Sequence, residues 1–333
     1  MKTEVIQPVS KPQISRGAPL QKGLLLLLTA ALCIVALEGI FYLARVGEAD
    51  HLKPDAYLGF KPIEGKRITQ RKEGFSTFTI NSWGMQNDEI PLAKPRGTIR
   101  IAVFGDSFVE AMQVPRAENY CSLLEKQLTA RLNRPVQVLN FGVSNYSLAQ
   151  DYLRYKTLAR KFQPDLAIIA YRVSETEKVL PNDSKALAFI RPVFFPDESG
   201  KMVYNDAMIK EFARSKEYKR LMATQWLRCY SRIWGVTGQL AGDWTTFWQG
   251  SNKHSSAPPQ SAAGQAAVQS TLASDKSREA FAQCYWYMVD GLLKEFSQAA
   301  GQDKCQLMLL RTPFKIQGKT TLQNPTETRL LNQ

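Results

Sequence analysis

The stretch Ile99-Arg100-Ile101-Ala102-Val103-Phe104-Gly105-Asp106-Ser107-Phe108 decides the fold. A short, mostly apolar run that stops at a glycine reads as a strand buried on both faces, followed by a tight turn into a helix. A serine at such a turn has an exposed hydroxyl and backbone N–H groups beside it. That is the setting a nucleophile and its oxyanion donors require.

The same pattern recurs outward from this stretch. Val136 to Asn140, Asp165 to Tyr171 and Cys305 to Leu310 read as three further buried strands. Between them, Ala117 to Leu132 reads as a helix with Tyr120, Leu123, Leu124, Leu128 and Leu132 on one face. Ser147 to Phe162 reads as another, with capping-box spacing at Ser147 and Gln150 and a stripe of Leu148, Tyr152, Tyr155, Leu158 and Phe162. Ser277 to Ala300 is a strong helical pattern closed by Gly301. Continuous apolar strands alternating with helices predict a parallel sheet covered on both faces, with right-handed crossovers. Ligands of such sheets bind beyond the C-terminal strand ends. Three turns fall there: Gly105 to Ser107, Asn140 to Ser147, and Arg172 to Thr176.

Gly23 to Ala44 holds twelve Leu, Ile, Val or Phe residues and, as a helix, spans about 33 Å, enough for a hydrocarbon core of ~30 Å. Its apolar run exceeds the ~7–15 residues of a cleavable signal core, so an uncleaved anchor is expected. Glu38, toward its C-terminal end, is placed to reach the interface. Lys2, Lys11, Arg16 and Lys22 precede the span, whereas Glu48, Asp50 and Asp55 offset Arg45 and Lys53 after it. The positive-inside rule then puts residues 1–22 in the cytoplasm and the main domain outside. Pro8, Pro12 and Pro19 argue against helix in that tail.

Residues 45–98 form a lead-in rich in Gly, Pro and charge, and 99–333 hold the α/β domain. Residues 251–276, rich in Ser, Ala, Gln and Pro, read as a flexible insertion. Residues 205–240 read as helical and basic, with Trp226 and Trp234. Together with Trp244 and Trp248 these are candidates for a sugar-binding face, against the commoner role of anchoring a helical layer on the core.

The formal net charge of +13 is spread rather than clustered, which argues against a nucleic-acid partner. The lipid bilayer and an acylated or acidic polysaccharide fit it better, as does simple solubility. The five cysteines form no metal-ligand spacing, and buried free thiols are preferred over disulfides among Cys121, Cys229, Cys284 and Cys305. No phosphate-cradling loop is present, and no cofactor is implied. Nothing in the sequence speaks to oligomeric state.

The first block quoted above, with Ile80-Asn81-Ser82-Trp83-Gly84-Met85 before it, resembles the SGNH (GDSL-type) hydrolase family. So do Val138 to Ser144 with Gln150 and Tyr152-Leu153, Pro164-Asp165-Leu166, and Thr312-Pro313. The resemblance is to membrane-anchored envelope members acting on acylated carbohydrate. It implies a flavodoxin-like three-layer α/β/α sandwich and ester hydrolysis or acyl transfer. Ser107 matches the family nucleophile and Asp106 its neighbour. Asn145 aligns with the glycine whose N–H holds the oxyanion, and Gly142 is a second backbone donor candidate. Asn tolerates the positive φ that such a glycine often adopts.

Two positions depart from the family. Glu175 stands in Ser174-Glu175-Thr176, where the family has an Asn donor, and a carboxylate accepts hydrogen bonds rather than donating them. Asn182-Asp183 lies too far along to replace it. The family's late Asp-x-x-His is absent: the two histidines, His51 and His254, both read as solvent-exposed. A chain that ends before that motif and a diverged, non-catalytic binding protein are both open readings.

Overall fold

The computed structural model describes residues 18–44, 46–47, 50–71, 74–171, 186–238, 240, 275–311, 315–316 and 319–320. Helix α1 (Ala18–Leu43) contains the apolar segment Gln21–Leu43, long enough to cross a membrane and left unburied by the rest of the chain. It starts ahead of the expected span. Pro19 sits in its first turn, where no amide donor is required, so it opens the helix instead of breaking it.

The lead-in is more ordered than its composition predicts. It contains two antiparallel hairpins, β1 (Leu52–Asp55) with β2 (Gly59–Pro62) and β3 (Arg67–Gln70) with β4 (Ser76–Thr79). Strand β5 (Ile99–Phe104) then enters the core, followed by the single helical turn α2 (Ser107–Glu110) and by α3 (Tyr120–Leu132). Next come β6 (Val136–Asn140), α4 (Leu148–Thr157) and β7 (Leu166–Tyr171). A third hairpin, β8 (Val193–Pro196) with β9 (Met202–Asn205), leads to α5 (Ala207–Arg214) and α6 (Lys216–Tyr230). Residues 232–238 form α7. Helix α8 (Asp275–Gln302) and β10 (Gln306–Arg311) complete the main body.

The central sheet has the order β10-β7-β5-β6, and all its pairs are parallel. Numbered among themselves in chain order and read from the β6 edge, the strands run 2-1-3-4, the order of flavodoxin-like doubly wound sheets, with the topological switch point between β5 and β7. Ladder register places Val103 beside Asn140 on one side and Ile168 on the other. One face is covered by α4 and α8 around Phe104, Phe141, Phe162 and Phe296. The other is covered by α2 and α3, where Val109, Cys121, Leu124 and Leu128 pack on Ile101, Val103 and Val138.

Three local expectations change. The face assigned to α3 splits: Cys121, Leu124 and Leu128 turn inward, while Tyr120, Leu123 and Leu132 are exposed. The helix from Ser147 keeps its capping box but breaks after Thr157 into a 3-10 turn, Ala159–Phe162. Trp226 and Trp234 do not anchor a layer on the core, for both are exposed, Trp226 by 69%. Cys121, Cys229 and Cys305 are buried free thiols, as preferred. Residues 251–274, with Trp244 and Trp248 before them and His254 within, lie outside the described residues.

Candidate functional site

The turn after β5 is fixed by close approach. Gly105 has φ of 149°, and a Cβ there would lie 2.5 Å from Val109 Cγ2 and 3.0 Å from the Ala170 carbonyl oxygen. A side chain would therefore force β5, β7 and α2 apart. Asp106 caps α2: it is buried, and its Oδ1 accepts the Phe108 N–H at 3.0 Å. Ser107 follows as the first helical residue, half-buried, and its carbonyl accepts the Ala111 N–H at 2.9 Å, which ends the turn. Among the described residues Ser107 finds no side-chain hydrogen-bond partner.

The loop after β6 packs directly against this turn. Asn140, fully buried, donates from Nδ2 to the Val109 carbonyl at 2.8 Å and accepts the Gly142 N–H at 3.0 Å. The Gly142 N–H is thus committed inside the protein. Gly142 has a packing role, because a Cβ there would lie 2.5 Å from the Glu110 backbone nitrogen. Asn145 has φ of 65°, the left-handed conformation that the aligned glycine implied. Its Nδ2 donates to the Ala188 carbonyl, while its backbone N–H meets no acceptor among the described residues. Asp106, Ser107, Gly142 and Asn145 therefore lie on two interlocked turns at the C-terminal edge of β5 and β6. Glu175, Ser174, Thr176, Asn182, Asp183 and Thr312-Pro313 lie outside the described residues.

Glu110 and His51 form a cluster that the sequence did not announce. Glu110, three residues after Ser107, is buried. Its Oε2 accepts the Ser144 N–H at 2.7 Å and also the Ser144 hydroxyl. Its Oε1 lies 3.9 Å from His51 Nε2. The expectation of an exposed His51 is overturned: its side chain is 21% exposed, and Nε2 is buried with no hydrogen bond. The reason is that the chain between α1 and β1 folds back against α2. His51, Thr69, Met112, Ser144 and Arg232 line a small cavity of about 150 Å³. A larger cavity of about 430 Å³, lined by Tyr57, Trp83, Arg154 and Leu158, contains none of the candidate catalytic residues. No group of three or more potential metal ligands occurs among the described residues.

No protein-family model and no curated protein matches this chain. Among solved structures it is similar to AlinE4, an SGNH-hydrolase family esterase, at 26% identity over 28% of this chain and 49% of that one, with a TM-score of 0.23. It is also similar to TesA, at 20% identity over 38% of this chain and 73% of that one, TM-score 0.22. A variant of the AlinE4 esterase aligns at 19% identity over 54% of this chain and 95% of that one, TM-score 0.23. In the first of these alignments the chain spans about half the length of the esterase.

Proposed function

We propose that this chain is a membrane-tethered, SGNH-like ester hydrolase or acyl transferase acting on an extracytoplasmic carbohydrate, with Ser107 as the nucleophile. The observation that carries the reading is the turn itself: a serine at the first position of a helix, at the switch point of a 2-1-3-4 parallel sheet, locked by Gly105 and Asp106. In this reading Ser107 Oγ attacks the acyl carbon. The oxyanion accepts hydrogen bonds from the Ser107 and Asn145 N–H groups. The Ser107 hydroxyl proton passes, through a base that the described residues do not place beside it, to the sugar oxygen. As the tetrahedral intermediate collapses the acyl C–O bond breaks, the sugar leaves as the alcohol, and water or an acceptor hydroxyl then releases the acyl group from Ser107. Gly142 supports the turn by packing and does not donate, since its N–H is held by Asn140.

A second reading, a binding protein of the envelope that keeps this fold without turnover, is favoured by the direction of His51. Its Nε2 faces Glu110 and makes no hydrogen bond to Ser107. A serine lacking a base is a weak nucleophile. A serine-reactive fluorophosphonate probe separates the two. Labelling of the folded chain that disappears in Ser107→Ala establishes an activated serine, and absence of labelling in folded protein removes hydrolysis and leaves binding.

A further inference from the structure

Helix α1 does not end in a loose stalk. Glu38, one and a half turns before its end, is bonded to the start of α7: its carboxylate accepts the Arg232 N–H, the Ile233 N–H at 3.1 Å and the Ser231 hydroxyl at 3.1 Å. The capping geometry is favourable, since a carboxylate complements the unpaired donors of a helix N-terminus. It also resolves the cost of an acidic side chain within an apolar span. Around this joint the Arg228 guanidinium pairs with Asp50, the Arg71 guanidinium donates to the Ala44 carbonyl at 2.9 Å, and Arg232 lies 5.9 Å from the Tyr42 ring centre.

This joint fixes a depth. A hydrocarbon core of ~30 Å takes about 20 helical residues, so a span entered at Gly23 leaves the core near Leu43. Glu38 lies five residues earlier, about 7 Å inside that boundary at ~1.5 Å per residue. The backbone at Ser231 to Ile233 is held at the same level. Interfacial helices sit with their apolar face about 5–10 Å into the boundary region. The corner between α6 and α7 therefore lies where an interfacial helix lies. Its surface has the matching composition: Trp226, Tyr230 and Trp234 are exposed by 69%, 58% and 41%. From Lys216 to Arg232 there are five basic residues and one acidic, Glu217. Tryptophan and tyrosine prefer the headgroup level, and basic side chains are drawn to anionic headgroups.

We infer that the α6–α7 corner is a second membrane-binding element, seated at the boundary between headgroups and acyl chains of the bilayer that α1 crosses, with Trp226, Tyr230 and Trp234 inserted and Lys216, Lys219 and Arg220 drawn to anionic headgroups. The inference rests on α1 as a membrane span and is independent of any catalytic activity. It accounts for exposed aromatics that neither the core nor the candidate site uses.

The test uses the full chain reconstituted in vesicles of phosphatidylcholine and phosphatidylserine, with bromine carried near the top of the phosphatidylcholine acyl chains as a fluorescence quencher. Flotation with the vesicles reports on α1 separately. In the Trp226→Phe, Trp234→Phe double variant, the lipid-quenchable tryptophan emission is expected to fall by at least half. Both side chains are exposed and keep a ring, so the fold is retained. A quenchable fraction equal to that of the parent chain overturns the proposal, as does a surface shielded from aqueous iodide yet unaffected by brominated lipid, which would assign it to a protein partner.

Discussion

Asn140 and Val109 are joined by a 2.8 Å hydrogen bond from the Asn140 side-chain nitrogen to the Val109 carbonyl, and through it the end of β6 holds the helical turn that begins at Ser107. The same side chain accepts the Gly142 N–H, so one residue satisfies a buried donor and a buried acceptor on two different turns. Replacing it by a leucine of similar volume leaves both unsatisfied. Asn140→Leu is expected to lower stability by about 1–3 kcal/mol, measured by denaturant unfolding in detergent. If Ser107 is activated, the rate of fluorophosphonate labelling falls as well, because the turn is no longer held.

Asn145 separates a backbone role from a side-chain role. Its φ of 65° suits glycine better than any residue with a Cβ. Asn145→Gly is therefore expected to preserve the labelling rate of Ser107, with a loss confined to the bond to the Ala188 carbonyl. Asn145→Val, which is β-branched at a left-handed position, should cost at least about 1–2 kcal/mol and slow labelling. Equal labelling in both variants would remove Asn145 from the oxyanion site.

Arg100 is fully buried at the start of β5, and its guanidinium donates to the Pro91, Leu92 and Phe162 carbonyls at 2.7–2.8 Å and to Gln137 Oε1 at 2.8 Å. Burial lowers its pKa, and the nearby Asp165 carboxylate opposes that shift. A lysine has a single point of donation and cannot reach acceptors spread over a planar fork. Arg100→Lys is expected to destabilise the chain by roughly 3 kcal/mol or more, seen as an earlier midpoint in denaturant.

Burial pushes the Cys121 thiol up to about 12 and the Cys305 thiol up to about 11, from an ordinary 9.0. At pH 8 their thiolate fractions are on the order of one in a thousand to one in ten thousand, so iodoacetamide should leave both unmodified in the folded chain. A thiol raised on folding favours the native state below its unfolded value. That contribution declines as pH rises from about 9 through the folded values. A denaturant midpoint that drops between pH 9 and 11, and drops less in Cys121→Ala, is the expected outcome.

The parallel core was legible because its four strands are nearly uninterrupted apolar runs, and Ser147 with Gln150 announced a helix start that the structure keeps. The lead-in hairpins were not. Their strands are four residues long and carry Pro54, Lys61 and Gln70, so no period-2 pattern can emerge from them. Arg100 was hidden by its apolar neighbours, and its acceptors come from segments both before it and far beyond it in the chain. The positive φ at Asn145 could be anticipated from the glycine with which the resemblance aligns it. His51 beside Glu110 could not, because that proximity arises from the chain folding back after α1, which leaves no local signature. Glu38 was read as placed to reach the interface, and the helix start that it meets, 194 residues along the chain, leaves no local signature.

The joint between Glu38 and Arg232 has a mechanical consequence. A domain on a flexible leash samples a hemisphere of positions above the bilayer, whereas one clamped at the root of its anchor keeps a constant working height and bearing. The turn that carries Ser107 is then held at one height above the bilayer, and under the proposed function the attachment itself would select what reaches it. Lengthening the link between Leu43 and Leu52 would exchange aim for range.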